Sequence, residues 1–238
     1  MSDSHGSRSD KDTPKLTRIL VWDAPVRVFH WLMVVSFVIA YATGDSERWR
    51  LVHVTFGYTM TGLVAFRIVW GILGTRYSRF SSFVRSPTAV CTYLSGVIRG
   101  RHERIVGHNP AGGIAIVALL ILAIAVSATG WSAYNNATPD SMEDLHGIAA
   151  NLMLAVVVIH VLGVILGSFL HRENLVLSMI TGNKTGRPEE GIQSSWRILG
   201  VVLLSLTIAF WWVQWQSAPV NGGAGQKPSV QQNHDDAD

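Results

Sequence analysis

Five runs of roughly 20 mostly apolar residues constrain this chain more than any other feature, because that is the length a helix needs to cross a bilayer. They cover about residues 26–43 (VRVFHWLMVVSFVIAYAT), 51–73, 111–131 (including IAIVALLILAIAV), 145–170 and 196–215 (WRILGVVLLSLTIAFWWVQW). In lipid the backbone must satisfy its own hydrogen bonds, so such runs are helices. The composition agrees: 15% of residues are charged, against about a quarter in soluble domains. The expected fold is therefore an all-α integral membrane protein. The first run is the shortest and holds Arg27 near its start, where an arginine can snorkel to the surface.

Lys and Arg set the orientation. Five precede or open the first span, six lie between the second and third, and four lie after the fourth, the last of them opening the fifth. The opposite side has Arg48, Arg50 and Lys227, fifteen against three. Asp140, Glu143 and Asp144 share that sparsely basic side. The N-terminus is expected on the inner, cytoplasmic side and the C-terminus outside. The net charge of +3 then reflects loop asymmetry, not a nucleic-acid surface. The polar N-terminus has no apolar segment with a cleavage site, so the first span is expected to act as an uncleaved insertion signal.

Residues 1–24 are expected to form a polar tail, 183–195 a linker, and 216–238 a disordered periplasmic tail, low in apolar residues. Within the basic loop of residues 75–110, SPTAVCTYLSGVIRGR has proline at a helix start and apolar residues at helical spacing. It is expected to be an amphipathic helix on the cytoplasmic surface. The single cysteine, Cys91, and the lack of Cys-x-x-Cys-His exclude a covalent c-type haem.

Four of the nine histidines fall inside spans: His30, His53, His146 and His160. Ionisable groups in a membrane are functional candidates by default. Fourteen residues separate His146 from His160. On a helix that is about 21 Å of rise and a residual turn of about 40°, so the two share a face at two depths. His30 opens a span that starts inside; His53 opens one that starts outside. The four therefore sort by depth into His30 with His160 and His53 with His146.

Zinc needs four ligands converging on one point, which two depths forbid. Haem needs two axial ligands, and bis-imidazole ligation leaves no open site, as suits electron transfer. Two haems would sit on the order of 20 Å apart. Gly57, Gly147 and Gly163 lie near the ligands in sequence and would admit a flat cofactor. Methionine is the competing ligand; Met33 and Met60 lie in spans, and Met153 lies midway between the two histidine depths, with no partner there. Arg67, fourteen residues after His53, reaches the inner depth. It either pairs with a haem propionate or snorkels to the surface.

The stretch VWDAPVRVFHWLMVVSFVIAYATG resembles the first-span signature of bacterial di-haem b-type cytochromes, the cytochrome b561 group. Its relatives include nickel–iron hydrogenase b-type cytochromes and formate dehydrogenase gamma subunits. The likeness continues through HVTFGYTMTGLVAFRIVWGILG, GHNPAGG and the fourth-span histidines, about residues 20–182. It implies a four-helix transmembrane haem-binding bundle over residues 25–182, plus a fifth C-terminal transmembrane helix. It also implies two non-covalent haems b, with His30 and His160 on the cytoplasmic side and His53 and His146 on the periplasmic side.

The resemblance further points to a quinone site at GHNPAGG, where His108 and Asn109 offer hydrogen bonds and a proton route. The plain alternative is that Asn109-Pro110 caps a helix. The expected partners are quinone, the membrane, and a periplasmic cytochrome c or a hydrogenase- or dehydrogenase-type subunit. Two rival readings are a haem-bearing anchor without quinone chemistry and a histidine-based metal transporter. The latter suffers because transporter sites gather near one midplane.

Overall fold

The computed structural model describes residues 16–100, 105–135 and 141–217. The expectations for the first fifteen residues, for Arg101, Arg104 and Asp140, and for the tail beyond residue 217 lie outside the described residues.

Five helices are long and apolar enough to cross a membrane. They are α1 (Ala24–Thr43), α2 (Arg50–Leu73), α5 (Pro110–Tyr134), α6 (Ser141–His171) and α8 (Arg197–Gln216). Local chemistry sets their ends. The Asp23 side chain caps α1, accepting from the Val26 N–H at 2.9 Å, with Pro25 in the first turn where a missing N–H costs nothing. Asn109 caps α5 in the same way, ahead of Pro110. Glu143 and Asp144 occupy the first turn of α6, where negative charge meets the positive end of the helix dipole.

Helices α1 and α2 pack as one antiparallel pair and α5 and α6 as another; α2 against α5 joins the pairs, and α8 lies along the outside of α1. The fifth helix is firmly attached. Gly200 lets it approach Ala24, and Trp211 donates its Nε1–H to Thr59 at 2.9 Å. Phe37, Ala40, Met60, Val64, Ala123 and Met153 form a buried apolar layer across the bundle. Met153 belongs to this layer, between the two histidine depths.

One end carries the shorter elements: α3 (Phe80–Phe83), α4 (Pro87–Ile98) and α7 (Leu175–Thr181). The surface helix expected from SPTAVCTYLSGVIRGR is α4, capped by Ser86. At this end the N-terminal segment and the linker meet. Strand β1 (Thr17–Leu20) pairs antiparallel with β2 (Asn183–Gly186), Thr17 opposite Gly186 and Leu20 opposite Asn183. Val21 and Trp22 then donate their backbone N–H groups to the Gly182 carbonyl. Gly182 has φ +85°, and a Cβ there would meet the Trp22 carbonyl at 2.8 Å, so only glycine serves this close approach. The strand pair joins segments about 165 residues apart, a pairing that short-range sequence patterns do not reveal.

Candidate functional site

The end of the bundle away from the strands brings His53 of α2 and His146 of α6 together. Their ring centroids are 5.9 Å apart and nearly perpendicular, at 85°. His53 Nδ1 lies 2.8 Å from the Ala40 carbonyl, and His146 Nδ1 lies 3.0 Å from the Val126 carbonyl. A carbonyl only accepts, so each Nδ1 carries the proton and donates it. In the neutral ring this leaves Nε2 as the bare nitrogen, the arrangement that metal-ligating histidines use. Two imidazoles sharing one iron at about 2 Å per bond would have centroids roughly 6 Å apart, from ordinary metal–imidazole lengths. The observed spacing fits.

The same two rings line an open cleft walled by Phe37, Tyr58, Met60 and Trp131. A glycine on α5 sets the His146 ring. A Cβ at Gly130 would come within 2.8 Å of His146 Cε1. By contrast, a Cβ at Gly57, Gly147 or Gly163 would meet nothing within 4 Å. The close approach to His146 therefore comes from Gly130, a glycine on another helix.

The strand end gathers the other candidates. His30 and His160 are close enough to interact electrostatically, and His108 interacts with both, as well as with Arg67 and Lys184. Arg67 is only 3% exposed. It is not a snorkelling residue; its guanidinium packs against two phenyl rings, Phe80 at 4.9 Å and Phe83 at 5.7 Å, which also touch each other edge-on with centroids 5.8 Å apart. His108 packs on Phe83 too, with ring centroids 4.9 Å apart, and on Trp22 at 4.5 Å. The result is one aromatic cluster of Trp22, His108, Phe83 and Phe80, with Arg67 against it. Its two phenyl rings come from the short α3, which seats against glycines: Phe80 covers Gly71, and the Phe83 carbonyl covers Gly113.

Shielding and the nearby cations Arg67 and Lys184 hold the His108 imidazole down to about 3, so it is neutral at ordinary pH. Asn109 is half committed. Its Oδ1 accepts from the Gly112 N–H at 2.6 Å, which is the capping arrangement, and only its amide N–H₂ is left to meet a ligand.

Shielded polar atoms without a hydrogen-bond partner concentrate here. Trp22 Nε1, Arg27 Nε, His30 Nδ1, Arg67 Nη1 and His108 Nδ1 all belong to this end. Buried polar groups in folded proteins are nearly always paired, and the Trp and Arg atoms are donors only. The strand end is thus chemically suited to an acceptor-rich group, such as a carboxylate-bearing haem or a quinone carbonyl.

One residue of this end escaped sequence reasoning. Asp23 is fully buried and accepts hydrogen bonds from Val26, Trp70, Thr75 and Ser78. The available signal was its place in the WD-x-P-x-R-x-FHW pattern, where it reads as a plain helix cap.

Among the described residues, no three His, Cys, Asp or Glu side chains are placed to hold a metal ion; the histidines come in pairs. Residues 21–182 match the family model described as prokaryotic cytochrome b561. Among curated proteins, the chain is 27% identical over 142 residues to the probable Ni/Fe-hydrogenase 1 B-type cytochrome subunit of Escherichia coli K12. That match covers 48% of this chain and 60% of the relative. The probable Ni/Fe-hydrogenase B-type cytochrome subunit of Rhodobacter capsulatus is 22% identical over 71% of this chain and 82% of its own. The corresponding protein of Rhizobium leguminosarum is 19% identical over 79% of this chain and 96% of its own. No solved structure matches at the same stringency.

Proposed function

Because this chain belongs to the prokaryotic cytochrome b561 family, whose b-type members carry haem b, we propose that it moves electrons across the membrane through two bis-histidine haems. His53 and His146 hold the periplasmic-side haem; His30 and His160 hold the cytoplasmic-side one. The 5.9 Å approach of His53 to His146, with both Nδ1 protons donated to carbonyls, carries this reading. When bound, haem supplies a one-electron couple; the protein holds it, sets its depth and tunes it.

The chain's own residues do the rest. Ala40 and Val126 orient the outer imidazoles through their carbonyls. Arg67, packed against two phenyl rings, offers its shielded Nη1 to a haem propionate. The apolar layer around Met60 and Met153 keeps water out between the two depths. Quinone exchanges electrons at the strand end, where neutral His108 and the Asn109 amide hydrogen-bond its carbonyl oxygens. The excess of basic residues in the loops supports a cytoplasmic side for this end, in a bacterial inner membrane. The names of the relatives favour a hydrogenase-type subunit as the redox partner; a periplasmic cytochrome c is the other candidate.

The purified protein should show a b-type reduced-minus-oxidised spectrum and about two haems per chain. His53→Ala should remove one and leave the His30/His160 haem. A haem-free protein, or loss of the inner haem alone in His53→Ala, overturns the reading. Reduction by a quinol analogue should fail in His108→Ala with haem content intact.

A further inference from the structure

Among the described residues Asp23 is the only buried acid. Its two carboxylate oxygens are used beyond what a helix cap requires. Oδ1 accepts from the Val26 N–H at 2.9 Å and from Trp70 Nε1–H at 3.3 Å. Oδ2 accepts from Trp70 at 3.2 Å, from Thr75 Oγ1–H at 2.6 Å and from Ser78 Oγ–H. These donors come from the start of α1, the end of α2 and the turn leading to α3. Asp23 also interacts electrostatically with Arg27 and Arg67.

An Asn or Ser would cap α1 as well as Asp does. The Thr75 and Ser78 hydroxyls can turn round to accept from an amide. What only aspartate supplies at this position is a negative charge. That charge is sealed from solvent, so its field is weakly screened. It is also well placed: Asp23 lies seven residues before His30, two helical turns away on the same face, about 10 Å along the helix. The outer histidine pair is farther away, beyond the apolar layer.

We propose that Asp23 sets the redox potential of the inner haem, its buried charge favouring the oxidised, more positive iron. This rests on the di-haem reading above. The Thr75 and Ser78 hydroxyls adjust the effect, since each O–H pointed at the carboxylate offsets part of its field. Asp23 is thus an electrostatic positioning residue for the couple and does not touch the haem.

Potentiometric titration of the purified two-haem protein, with the components assigned by His53→Ala, tests this through two opposed variants. Asp23→Asn should shift the inner haem's potential upward. Thr75→Val and Ser78→Ala, which keep the charge and remove a donor, should shift it downward by less. The outer component should stay at its wild-type value in all three. A purely structural role would move all variants the same way, and that result overturns the proposal. So does an unchanged inner potential. If Asp23→Asn fails to load the inner haem, the two hydroxyl variants still decide by the sign of their shift. A wild-type protein that titrates as one haem sinks the di-haem reading itself, a result separable from the others.

Discussion

The two ends of the bundle solve the same problem in different ways. The end with His53 and His146 is simple: two rings face each other across a cleft, each oriented by one backbone carbonyl. The strand end is crowded. Two histidines share it with a third, two arginines, a lysine, a buried aspartate and an aromatic cluster. At one end helix carbonyls alone orient the imidazoles. The other recruits a strand pair, a loop helix and several charges. The difference teaches that a pair of ligands needs little around it, whereas a place where an electron pathway meets a second chemistry needs donors, charge and a means of excluding water.

The largest test removes one end. His160→Ala should lower haem content from about two per chain to about one, leaving the spectrum of the His53/His146 haem. Equal loss of both haems would show that the ends are not independent. Next in size is Gly130→Ala. The added methyl would press on the His146 ring at 2.8 Å, and overpacking of this kind costs about 1–3 kcal/mol. Haem titration should show roughly 5- to 150-fold weaker binding at the outer site only.

A smaller effect should separate the ends by pH. The unfolded His108 takes up a proton near its usual 6.5, whereas the folded one resists down to about 3. Between these values the unfolded state binds the extra proton, so stability falls as pH is lowered through this window, by at most about 1.4 kcal/mol per unit. His108→Gln should flatten that acid limb in detergent melts, without touching the outer haem's spectrum. The smallest expected change is Asn109→Ala, which removes a helix cap worth about 1 kcal/mol. It should lower the melting temperature slightly and leave both haem spectra as they are. Loss of quinol reactivity in that variant would show that the amide also serves the ligand.

Much of this could be read from the chain alone. Five apolar runs dictated five helices, because no other element satisfies its backbone in lipid. The fourteen-residue gap between His146 and His160 dictated one face and two depths, because helix geometry is periodic. Sorting His53 with His146 needed only the alternation of helix direction. These are properties of local sequence, and a membrane leaves local sequence few alternatives.

Tertiary structure alone decided what depends on contacts between distant segments. The β1–β2 pairing unites the N-terminal segment with a stretch far along the chain; neither TRIL nor NKTG announces a strand. Gly130 matters only because α5 lies against His146. For Arg67 the sequence left open a reach to the surface or to a propionate; α3 folds back and sets two phenyl rings against it, keeping it buried. Nothing in the sequence singled out Asp23, on which Trp70, Thr75 and Ser78 converge from another helix and its following turn. Periodicity tells which residues share a face and a depth. Only the packing of one element on another tells what that face meets.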